Sequence, residues 1–65
     1  MYREVYQWRV LSEIDSGATV YCLDRKNKQC YAVNDMFVKG LMKVLSEAEA
    51  DPERFYFWRE IENDG

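Results

Sequence analysis

Val20-Tyr21-Cys22-Leu23-Asp24-Arg25-Lys26-Asn27-Lys28-Gln29-Cys30-Tyr31-Ala32-Val33 is the stretch that decides the fold, because read outward from Lys26 it is nearly a mirror. Leu23 matches Gln29, Cys22 matches Cys30, and Tyr21 matches Tyr31. Two β-prone runs enclose a polar, charged middle in which Asn27 can take a positive φ, the pattern of a β-hairpin. A loop of Arg25, Lys26 and Asn27 sets Cys22 directly across from Cys30, and the rest of the chain is placed against that register.

Upstream, Tyr2 to Ile14 alternates. Tyr2, Tyr6, Trp8, Val10 and Ile14 fall on one side and Arg3, Gln7, Arg9 and Glu13 on the other, which predicts a half-buried strand. Asp15-Ser16-Gly17 then supplies a turn in which Gly17 is free to adopt the left-handed conformation. Together these give a three-stranded antiparallel meander over about 2–14, 18–24 and 28–33. One face holds Tyr6, Trp8, Val10, Ile14, Ala18, Val20, Cys22, Cys30 and Ala32. The other holds Val5, Leu11, Tyr21, Leu23, Tyr31 and Val33 among Arg9, Glu13, Thr19 and Gln29.

Downstream, Asn34 or Asp35 offers an N-cap, and Phe37, Leu41, Val44, Leu45 and Ala48 recur at helical spacing, predicting a helix over about 35–50 on the first face. Gly40 lies on that stripe and is read as permitting close approach to the sheet. Asp51-Pro52 ends the helix, because the residue before proline disfavours helical backbone. Phe55-Tyr56-Phe57-Trp58 within 54–62 favours a fourth strand, with Phe55 and Phe57 on one face and Tyr56 and Trp58 on the other. A second helix starting at Asp51-Pro52-Glu53 remains open. The preferred order is β-β-β-α-β, an α+β fold, with the fourth strand parallel to the first and third and beside the first through a right-handed crossover. Residues 63–65 are expected to fray.

With 65 residues the chain makes one domain at most, residues 1–65, and a domain this small has a thin margin of stability unless it associates. Hydrophobic content of 48% argues for a core. There is no apolar run long enough to span a bilayer and no signal-peptide pattern at the start, so a cytoplasmic protein with no membrane partner is expected. Formal charge is −3, carried by the second half: residues 1–33 have five Lys or Arg against four Asp or Glu, and 34–65 have four against eight. That balance weakens nucleic-acid binding, which draws on clustered cations.

The chain has no histidine, no Cys-x-x-Cys and no Gly-rich phosphate loop. No catalytic residue, cofactor, metal or small-molecule substrate is expected, and an enzyme is disfavoured. Cys22 and Cys30 read as two small buried hydrophobes, with a metal site shared by two copies as a remote alternative. Binding is the better class. Leu11, Tyr21, Leu23, Tyr31 and Val33 form an apolar patch suited to a homodimer or a protein partner, unless the C-terminal aromatics fold over it. A runner-up is weak nucleic-acid binding by Arg25, Lys26 and Lys28 at the hairpin tip with the sheet tyrosines as stacking surfaces. A third reading is an acidic inhibitor docking Glu47, Glu49, Asp51, Glu53, Glu60 and Glu62 on a basic partner.

Overall fold

The computed structural model describes residues 1–61 and is an α+β fold with a single four-stranded antiparallel sheet. The strands are β1 (Tyr2–Val5), β2 (Val20–Asp24), β3 (Gln29–Ala32) and β4 (Phe55–Glu60). Two α-helices, α1 (Val10–Asp15) and α2 (Val38–Ala50), are each preceded by a 3-10 turn, Gln7–Arg9 and Val33–Asp35. The expected fourth strand exists, so the alternative helix over the C-terminal aromatics does not form. Glu62 and the expected fraying of 63–65 lie outside the described residues.

The first strand is shorter than its alternation suggests, because the chain turns helical at Gln7 and β1 stops at Val5. Val10 and Ile14 satisfy a period of two and a spacing of four equally, and burial follows the helical solution: Val10 and Glu13 are buried and Ile14 packs against the core. Tyr6 and Trp8, expected inside, are exposed. Gly17 is left-handed as expected, at φ 97°, but it caps a helix rather than closing a hairpin. Its N–H bonds the Ile14 carbonyl at 3.0 Å and the Ala18 N–H bonds the Glu13 carbonyl at 3.1 Å, the paired bonds of a Schellman motif.

Sheet order is β1-β4-β2-β3. With α1 between them, β1 and β2 run parallel and are not neighbours, so β4 enters the gap antiparallel to both instead of lying parallel at the edge of β1. The hairpin is also one residue out of the mirror register. Cys22 pairs with Tyr31, and Leu23 with Cys30. Asp24 is the cause. Its carboxylate accepts the Lys26 N–H at 3.0 Å, the Asn27 N–H at 3.3 Å and the Asn27 side-chain amide at 3.0 Å, holding a four-residue loop in which Lys28, not Asn27, takes the positive φ of 55°. A shift of one residue exchanges faces. Cys22 is therefore buried and Cys30 exposed.

The core lies between the sheet and the helices. Val5, Cys22, Phe55 and Phe57 meet Val10 from α1 and Leu41, Val44 and Ala48 from α2, with Val20 and Val33 completing the cluster. The α2 stripe is as expected except at its start. Phe37, the N-cap residue, is 90% exposed, and the helix has no side-chain cap. Asn34 is used elsewhere: its side chain accepts the Val20 N–H at 2.8 Å and donates to the Ala18 carbonyl at 2.9 Å, tying the entrance of β2. A Cβ at Gly40 would meet Met36 at 3.3 Å, so the close approach there is to the preceding turn and not to the sheet.

Candidate functional site

Residues directly opposite each other in a ladder share a face, so the registers define the side of the sheet away from the helices. Tyr21 lies opposite Trp58 and Ala32, Leu23 lies opposite Tyr56 and Cys30, Glu4 opposite Trp58, and Tyr2 opposite Glu60. The rings form a continuous row. Tyr21 stacks on Trp58 with centroids 5.7 Å apart, and Trp58 on Tyr56 at 5.7 Å. The Arg25 guanidinium extends the row, 5.8 Å from the Tyr56 centroid, while its Nη1 donates to the Glu53 carbonyl at 2.8 Å. Tyr21, Leu23, Tyr56 and Trp58 are half-buried by one another, and both helices pack on the opposite side.

The five patch residues expected from the sequence are thus divided. Tyr21 and Leu23 lie on this open face. Tyr31 and Val33 point to the helices: Val33 is fully buried, and the Cys22 thiol donates to the Tyr31 hydroxyl at 3.8 Å. Leu11 sits exposed on α1, away from the sheet. Tyr56 and Trp58, which the sequence offers as an alternative cover for the patch, belong to it, because their strand enters the sheet instead of crossing it. The alternation of Phe55 and Phe57 with Tyr56 and Trp58 is the signal for this; only the position of β4 is missing from it.

Charge is distributed along the strands. Arg25, Lys26 and Lys28 occupy the hairpin end, Glu60 the other, and Glu4 the β1 edge at the level of Trp58, all of them exposed. Two further ion clusters are structural. Asp24, 4% exposed, receives two parallel bonds of 3.1 Å from Arg54, whose guanidinium also reaches Glu47 at 3.5 Å. Those Arg54 hydrogen bonds hold the Asp24 carboxyl down at about 2. Glu13, 6% exposed, bonds Arg59 and has Arg3 at 3.5 Å and Arg9 at 3.6 Å. The hydrogen bond from Arg59 is the main reason its carboxyl lies below the usual range. Burial pushes the Cys22 thiol up to about 11, the reverse of what a nucleophile requires.

Two smaller apolar features stand on other surfaces: Tyr6 stacked on Trp8 at 6.0 Å, and Phe37 with Val38 at the start of α2. Among the described residues, no group of His, Cys, Asp and Glu is placed to hold a metal ion, and no helix is long and apolar enough to cross a membrane. No family model matches the chain, nor does any curated protein or solved structure.

Proposed function

We propose that the protein is a non-enzymatic interaction module that associates with a second copy of itself through the open face of its sheet. One observation carries this reading: the row Tyr21, Trp58 and Tyr56, joined by Leu23, lies on a face that neither helix covers. Contiguous apolar surface on a small domain marks an association site, and Tyr and Trp dominate the energetics of such sites. A cytoplasmic, reducing setting suits the exposed free thiol of Cys30 on the same face. Light scattering from low micromolar to millimolar concentration tests the proposal. The mass is expected to rise from monomer to dimer, and the paired substitution Tyr21→Ser with Trp58→Ser to abolish the rise while leaving a folded monomer. A wild-type protein that stays monomeric throughout overturns it.

A second reading has one observation in its favour. Arg25 continues the aromatic row into a hairpin that also carries Lys26 and Lys28, an arrangement suited to a single-stranded nucleic acid. Against it, Glu4 and Glu60 border the same face and would repel phosphates. Titration of labelled oligonucleotides at low salt decides, since phosphate-dominated binding is strongest there. The acidic-inhibitor reading loses one of its carboxylates, because Glu47 is engaged with Arg54.

A further inference from the structure

We infer that two copies meet face to face with their strands antiparallel, related by a two-fold axis lying across the strands, so that Arg25 of each copy faces Glu60 of the other. This orientation rests on the self-association proposed above and adds what that proposal leaves open: which end of one face meets which end of the next.

Position along the strands comes first. From the pairings, the open face has four levels, marked in turn by Glu60, by Trp58 with Tyr21, by Tyr56 with Leu23, and by Arg25 at the hairpin end, whose N–H bonds the Arg54 carbonyl. At about 3.3 Å per residue the outer levels are about 20 Å apart. Their midpoint falls at the level of Cys22 and Phe57, which are paired. A two-fold axis across the strands at that level places the Arg25 level of one copy over the Glu60 level of the other. It also lays Tyr56 on Trp58 and Leu23 on Tyr21.

Position across the strands agrees. Such an axis keeps each strand over its own equivalent. Arg25 directly follows β2, but its guanidinium leans over Tyr56 and so lies above β4, the strand that carries Glu60. Charge and lane are therefore satisfied together. The alternative axis, parallel to the strands, superposes hairpin end on hairpin end. It would set Arg25, Lys26 and Lys28 level with the same three cations, and Glu60 level with Glu60, while exchanging the lanes of β4 and β2.

Size fixes the strength to expect. Four strands about 4.8 Å apart and about 20 Å long present roughly 400 Å² of plane per copy, placing the pair at the small end of specific interfaces. A weak, concentration-dependent dimer follows, in which complementary charge chiefly selects the orientation.

Charge exchange tests the orientation. Arg25→Glu and Glu60→Arg are each expected to weaken self-association about tenfold or more at low salt, since each turns both contacts of the dimer repulsive. Mixed in equal amounts, the two variants are expected to recover wild-type affinity as a heterodimer, because every contact then pairs opposite charges. A single chain carrying both substitutions should recover it as a homodimer. Both positions are exposed, and equal thermal midpoints of the monomers check that neither change acts through folding. If wild type dimerises but the mixture does not recover, or neither variant weakens it, the antiparallel orientation is wrong and self-association stands. If wild type remains monomeric at millimolar concentration, self-association and the orientation fail together.

Discussion

Asp24 and Cys22 lie two residues apart on the helix-facing side of β2, and their titrations are displaced in opposite directions. Asp24 falls from its usual 3.8 to about 2, chiefly through Arg54. A depressed carboxyl contributes stability that is complete above the unfolded value and is lost as pH falls through the folded one. The urea midpoint is therefore expected to drop between about pH 4 and pH 2. Asp24→Asn should lower the midpoint at neutral pH and make the acid limb shallower, which equilibrium unfolding across that range will show. For Cys22 burial is the dominant cause of the upward shift. A thiol reagent is expected to modify Cys30 at once and Cys22 only as fast as the protein unfolds, leaving one equivalent protected until denaturant is added. The burial of Cys22 is legible in the sequence, but that of Cys30, read with it, does not occur, and the role of Asp24 is not legible. Asp24 looks like one more polar residue near a turn, and its cation, Arg54, is thirty positions away. The mirror around Lys26 equates two cysteines that a single extra loop residue sends to opposite faces.

The elements differ in how openly they announce themselves. β4 is favoured in sequence by four consecutive aromatics, against a helix start at Asp51-Pro52-Glu53 that the sequence leaves open, and its two faces carry different consequences. Phe57→Ala, at the centre of the core, is expected to cost about 3–5 kcal/mol, close to the whole stability of so small a domain. Trp58→Ala removes stacking on the open face and should cost about 1 kcal/mol in the monomer while abolishing association. Thermal denaturation and scattering on the same pair of variants separate the two effects. α1 is hidden, because Tyr6, Val10 and Ile14 are spaced by four and fit a strand as well as a helix. Its terminator is visible, but a glycine turn serves a hairpin and a helix end alike. Gly17 sits in open space, where an added Cβ would have no neighbour within 4 Å, so Gly17→Ala meets no clash. It is still expected to lose about 1–2 kcal/mol, read from the shift of the unfolding midpoint, because an L-residue at φ 97° is strained.

At the scale of the molecule, composition and periodicity point to an α+β domain with a fourth strand, but the order read from them, β4 parallel at the edge of β1, is not the one that forms. Strand order depends on how α1 returns the chain, and no local pattern encodes that. Once β4 separates β1 from β2, the aromatic segment can no longer fold across Tyr21; it widens the open face instead. The proposed association through that face would make stability depend on concentration, since a dimer forms only from the folded state. The thermal midpoint is expected to rise as the wild-type protein is concentrated and to stay constant for the Tyr21→Ser, Trp58→Ser variant. Differential scanning calorimetry over a range of concentrations measures this directly.

The central place of β4 also sets a timetable. During synthesis β1, α1 and the β2–β3 hairpin emerge before the strand that joins them, so for that interval β1 and β2 are unbonded edges of an incomplete sheet. A β4 supplied by a second chain fits the same gap with the same registers. Crowded newly made chains are therefore exposed to strand exchange, and refolding from dilute solution should yield less intertwined dimer than refolding from concentrated solution.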